Sequence, residues 1–107
     1  MTPLQQQSLA LAQQYAGYGQ QLKNVHDSLT FKVEHSLSTF DINQKWEISK
    51  VTGEIEGKLA ELQEVIKEIA TVKNQKTLYQ LRSKANEFRD AIGYYRAKQN
   101  EISREVG

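Results

Sequence analysis

The chain has 107 residues, of which 38% are hydrophobic and 25% charged, and its formal net charge at pH 7 is +1. A single proline and six glycines argue against a turn-rich β architecture, and the length suits one domain with a thin apolar core. The lack of cysteine excludes disulfides, thiolate catalysis and zinc–sulfur sites. The first residues lack the basic start and long apolar run of a secretory signal, and no stretch approaches the roughly 20 apolar residues of a membrane span, so we expect a soluble cytoplasmic protein, with signal-independent secretion left open.

The first helix is predicted over residues 3–37. Thr2 and Gln5 have the spacing of a capping box, in which each side chain bonds the other residue's backbone N–H, and Pro3 suits the first helical position. Apolar side chains then recur with a seven-residue rhythm, which predicts one buried stripe. The stripe consists of Leu4, Leu11, Tyr15, Tyr18, Leu22, Val25 and Leu29.

Gly17 and Gly19 lie inside this helix, where glycine is destabilising by up to about 1 kcal/mol relative to alanine. One interpretation is close packing, in which Gly17 meets Gly57 and Gly93 at one level of a bundle, flanked by tyrosines. The other interpretation is a hinge or kink in the first helix. The sequence leaves both open.

The second helix is predicted over residues 41–71. Its apolar stripe steps mostly by three and four residues, with Thr52 as a weak position between Ile48 and Ile55. The stripe consists of Ile48, Ile55, Leu59, Leu62, Ile66 and Ile69.

A turn over residues 71–77 should end this helix. Continuing its stripe would place Lys73 and Lys76 in the apolar interior, where an unpaired charge is costly. The alternative is unbroken helix from 41 to 105, because the segment contains neither glycine nor proline.

The third helix is predicted over residues 77–105. Thr77 and Gln80 suggest a second capping box, and Asn74 is suited to a left-handed turn conformation. Gln99 is the only polar member of the stripe. The apolar members are Leu78, Leu81, Ala85, Phe88, Ile92, Tyr95, Ile102 and Val106.

Three helices of similar length predict an all-α fold, an elongated up-down-up three-helix bundle with coiled-coil-like seams. Its length and topology resemble those of a spectrin-type repeat. Residues 41–70 carry a net charge of −3 and residues 71–107 one of +4, which suits two helices that lie against each other. A long helical hairpin that dimerises is the alternative.

The sequence indicates no catalytic, cofactor or metal site. His26 and His35 are nine positions apart, on opposite faces of a helix, so they cannot share a metal ion locally. The glutamates of the second helix interleave with lysines, as on a solvated helix face. Nucleic-acid binding through the basic third helix is a weaker alternative, because Glu87 and Asp90 interrupt its basic face.

We therefore predict a non-enzymatic helical protein that binds another protein, as an adaptor, chaperone or assembly module, or that binds its own copies as a homodimer. Aromatic and arginine side chains dominate binding hot spots, although most of the aromatic ones here could equally belong to the core. The candidate partner-binding residues are Tyr15, Tyr18, Trp46, Tyr94, Tyr95 and Arg96.

A secreted or structural subunit is the alternative function, and two resemblances suggest it. The size, the lack of cysteine and the central tryptophan are similar to those of the small WXG-type proteins of type VII secretion, although Trp46 is followed by Glu47 and Ile48. The segment 83–102 resembles the C-terminal helix of type III secretion needle subunits. Neither resemblance assigns a role to a residue of this chain.

Overall fold

The computed structural model describes residues 2–35 and 42–106, which form three α-helices. They are α1 (Pro3–His35), α2 (Ile42–Ala70) and α3 (Gln75–Val106). The predicted all-α three-helix bundle is confirmed, and its extents of 56 × 19 × 17 Å make it elongated. The parts of the predicted helices that fall in 36–41 lie outside the described residues. None of the helices in the described ranges has a stretch apolar enough to cross a membrane.

Contacts between the helices establish their directions. Tyr15 bonds to Leu81 and Lys32 to Ser103, so α1 and α3 run parallel. His26 Nε2 lies 2.8 Å from Glu56 Oε1, whereas Gly19, earlier in α1, lies beside the later residue Leu62 of α2. The α1 and α2 helices are therefore antiparallel, and the topology is up-down-up.

The predicted capping box at the start of α1 is present. The backbone N–H of Thr2 donates to Gln5 Oε1 at 3.0 Å, and that of Gln5 donates to Thr2 Oγ1 at 3.2 Å. Two N–H groups that have no partner inside the helix are thus satisfied.

The turn between α2 and α3 is also present but shorter than predicted, because α2 ends at Ala70 and α3 begins at Gln75. Asn74 is the N-cap of α3: its side-chain oxygen accepts from the Thr77 N–H at 2.9 Å. The prediction of a left-handed Asn74 is wrong, since none of the described non-glycine residues has a positive φ. The predicted capping box at Thr77 is also wrong, because Thr77 already lies inside the helix. The break between Ala70 and Gln75 also excludes the alternative of one unbroken helix from 41 to 105.

The predicted stripes form one core. Nearly all the members whose side chains the structure describes are buried, and Leu4, Leu59 and Ile66 are half-buried against them. The side chain of Val106 lies outside the described part of the chain. Val51 and Val65 of α2 also belong to the core and were not predicted. Val51 supplies the buried apolar side chain between Ile48 and Ile55, where the predicted stripe had Thr52 as a weak position. Thr52 is half-buried, and its hydroxyl donates to the Ser49 carbonyl at 3.0 Å.

The predicted close crossing of Gly17, Gly57 and Gly93 is wrong. All three are exposed, and a methyl group at any of them would meet no atom within 4 Å. The close approach is at Gly19, where a methyl group would lie 3.2 Å from Leu62 Cδ2. The α1 helix continues without a break through Gly17 and Gly19, so it has no interruption at the proposed hinge.

Candidate interaction surface

Tyr15 lies in the centre of the bundle and is fully buried. Its ring makes edge contacts with Tyr18 and Phe88, at centroid distances of 5.8 and 5.5 Å. Its hydroxyl donates to the backbone carbonyl of Leu81 at 2.5 Å. Burial, with smaller contributions from Tyr18 and Glu87, raises the pKa of Tyr15 to about 12. This predicted binding residue therefore links α1 to α3 inside the fold.

Tyr18 is buried, and its hydroxyl joins α1 to α3. The hydroxyl oxygen accepts from Gln14 Nε2 at 2.5 Å and from Arg89 Nε at 2.8 Å. Its buried ring and these two bonds hold Tyr18 at the α1–α3 edge of the bundle.

Tyr94 and Tyr95 are neighbours on α3 that separate into a surface and a core residue. Tyr95 is buried, and burial, then Glu54 and Tyr94, raise the pKa of its hydroxyl. Tyr94 is 52% exposed and makes an edge contact with Tyr95 at a centroid distance of 5.2 Å. Of this pair, only Tyr94 is exposed.

A cationic and aromatic set surrounds Tyr94 where α2 begins and α3 nears its end. The Lys98 ammonium lies 5.7 Å from the centre of the Tyr94 ring and 3.6 Å from Glu101, and Glu101 is the main reason that the pKa of Lys98 is raised. Glu47 on α2 adds to that shift. The other exposed ring belongs to Trp46, which directly precedes Glu47 on α2. Trp46 is 69% exposed, with Lys50 5.9 Å from its ring centre.

Arg96 belongs to a different edge of the molecule. It is exposed, and its Nη2 donates to Gln21 Oε1 of α1 at 2.9 Å. The six predicted residues therefore do not form one site. Tyr15, Tyr18 and Tyr95 are core residues, Trp46 is exposed on α2, Tyr94 is exposed on α3, and Arg96 lies on the α1–α3 edge.

The structure also contains surface features that the sequence patterns did not single out. A groove of about 340 Å³ opens between the start of α1 and the end of α2. It is lined mainly by apolar residues, among them Leu4, Leu9, Ala12, Ile69 and Val72. At this end of α3, the Tyr79 ring is 69% exposed. The described part of the chain places no three His, Asp or Glu side chains together as a metal-binding group.

A comparison with protein-family models, curated proteins and solved structures finds no match to this chain.

Proposed function

We propose that this protein is a non-enzymatic helical binding module of the cytoplasm, which recognises another protein or its own copies through the exposed rings of Trp46 on α2 and Tyr94 on α3. Its role is that of an adaptor, chaperone or assembly subunit. The observation that carries the proposal is the exposure of these two large rings beside lysines, on rigid helices.

Physical chemistry supports a protein partner for this surface. Exposed tryptophan and tyrosine bury a large area for little loss of conformational freedom, which makes them common anchors at interfaces. Both rings are held on regular helix, so binding would require little ordering of the backbone. The Lys98–Glu101 pair at the edge of Tyr94 supplies the polar rim that usually surrounds such anchors.

Site-specific photo-crosslinking in the cell that makes the protein tests this proposal. A benzophenone amino acid replaces Trp46 or Tyr94 in two separate variants. Matched controls carry it at Gln13 or Gln63, which are exposed polar positions on α1 and α2. Mass spectrometry of the products distinguishes a foreign protein from a second copy of the chain.

We expect discrete adducts from positions 46 and 94 and no adducts of the same mass from positions 13 and 63. Equal labelling at all four positions, or no adduct at any of them, would contradict the proposed surface.

A further inference from the structure

Three arginines form a straight row along α3. Arg82, Arg89 and Arg96 are seven residues apart, which corresponds to about 10.5 Å per step along a helix. A heptad spacing drifts by only about 20° per step, so the three side chains share one side of the helix. We call these three residues the basic row.

The basic row lies on the α1–α3 edge and has no acidic partner there. Arg89 donates to the Tyr18 hydroxyl and Arg96 to the Gln21 side chain, both neutral groups of α1. No described carboxylate forms an ion pair with the basic row, and the first acidic residue of α1 is Asp27. A guanidinium carries five N–H donors, so each arginine keeps donors for an external acceptor.

A matching row of opposite charge lies on α2. Glu47, Glu54, Glu61 and Glu68 are also seven residues apart, and we call them the acidic row. This row lies toward the other side of α3, because Lys58, the partner of Glu61, lies 5.8 Å from the centre of the Phe88 ring. In agreement with this, Glu47 acts on Lys98 and Glu54 on Tyr95. Glu61 also pairs with Lys58 of its own helix at 3.3 Å.

The two rows therefore flank α3 on different edges and do not meet within one molecule. Their common spacing of about 10.5 Å means that, between two molecules, one correct contact brings the others into register. A second copy of this chain therefore carries a row that has the same spacing as the basic row and the opposite charge.

We propose that a second copy of this chain docks its acidic row along the basic row of the first, with the long axes of the two bundles side by side. This inference rests on the proposed binding function and names the partner for one edge of the molecule. Each Arg–Glu pair is exposed and contributes little alone, so the repeated pairs chiefly determine partner and register. Each docked pair leaves one basic row and one acidic row unused, which allows further copies to add at higher concentration.

Charge reversal of each row, alone and in combination, tests the docking. One variant carries Arg82→Glu, Arg89→Glu and Arg96→Glu, so that both of its rows are acidic. The second carries Glu54→Lys, Glu61→Lys and Glu68→Lys, so that both of its rows are basic. The control reverses three exposed cations outside the row, Lys73, Lys76 and Arg104, and has the same net charge as the first variant.

Sedimentation velocity measures the mass of each protein at low salt and at about 1 M salt, where the screening length falls to about 3 Å. Circular dichroism verifies the helical fold. We expect the wild type and the control to exceed the monomer mass of 12.3 kDa at low salt and to return to it at 1 M salt. Each row variant should remain a monomer, and an equimolar mixture of the two should associate again. A misfolded variant could not produce that rescue.

Three outcomes would overturn the docking. A wild type that is monomeric at low salt would exclude the docking. If positions 46 and 94 still crosslink to a foreign protein in that case, the proposed function stands without the docking. Association that survives reversal of the basic row places the contact elsewhere. Salt-sensitive binding of a 30-base-pair DNA duplex by a monomeric wild type, lost in the Arg→Glu variant, would make the row a phosphate-binding surface.

Discussion

Tyr15 stabilises the bundle through both its ring and its hydroxyl, and two substitutions separate these contributions. Tyr15→Phe keeps the ring but loses the bond to the Leu81 carbonyl, so we expect a loss of about 0.5–1.5 kcal/mol in the free energy of unfolding. Tyr15→Ala also removes the buried ring contacts and should cost about 3–5 kcal/mol. Urea unfolding measures both. As a control, Tyr79→Phe on the surface should change stability by less than about 0.5 kcal/mol.

The raised pKa of Tyr15 makes the fold sensitive to alkaline pH. The folded protein holds this proton up to a pKa of about 12, whereas the unfolded chain releases it near the ordinary tyrosine pKa of 10.0. The resulting stabilisation is complete below pH 10 and is lost as the pH rises through about 12. Tyr15→Phe should therefore lose less stability than the wild type when urea unfolding is repeated at rising pH above 10. The part of the decline that remains includes Tyr95, whose pKa is also raised. Equal slopes for the two proteins would contradict this role of Tyr15.

The two glycines of α1 should respond differently to alanine. A methyl group at Gly17 meets open space, so Gly17→Ala should stabilise the protein by roughly 0.5–1 kcal/mol through helix propensity. At Gly19 the same methyl group would press on Leu62, which offsets part or all of that gain. Thermal unfolding of the two single variants compares them directly. A larger gain at Gly19 than at Gly17 would contradict the packing described above.

At the scale of the helices, the start of α3 depends on a single cap. Asn74→Ala leaves the Thr77 N–H without its acceptor and should cost about 1 kcal/mol of stability. Asn74→Gly should lower the stability by only a few tenths of about 1 kcal/mol, since glycine is itself tolerated at an N-cap position. Urea unfolding of the two variants distinguishes the lost cap from a general effect of the turn. Equal losses would argue against the cap.

The sequence predicted the helices and most of the core because the heptad rhythm is regular. The predicted stripe included the buried Tyr95 and not the exposed Tyr94, which lies one position off it, although both residues were predicted to bind a partner. Val51 was missed because a step of three or of four from Ile48 is equally compatible with a helix, and only the neighbouring helices decide between them. The cap was misplaced for a similar reason, since Asn74 and Thr77 are both suitable capping residues.

At the scale of the whole molecule, the surface was less predictable than the core. The heptad spacing of the basic and acidic rows is present in the sequence, but their separation onto two edges of α3 depends on how the helices pack. The same holds for Gly17, Gly57 and Gly93, whose predicted close crossing is absent because all three are exposed. The periodicity of the sequence identifies the residues that share one face of a helix. How much of the rest of the helix is covered depends on how the neighbouring helices pack against it.

The elongated shape provides a last test of how copies associate. The bundle has a radius of gyration of 16.9 Å, compared with about 13 Å for a compact domain of this length. Docking of the acidic row along the basic row places two bundles side by side. At a concentration where the docked pair predominates, small-angle scattering at low salt should therefore show a doubled mass with a maximum dimension that exceeds the bundle length of 56 Å by little more than one heptad step, about 10.5 Å. A dimension near twice the bundle length would mean that the ends associate, through surfaces such as the groove beside Leu4 and Leu9, and would exclude pairing along the rows.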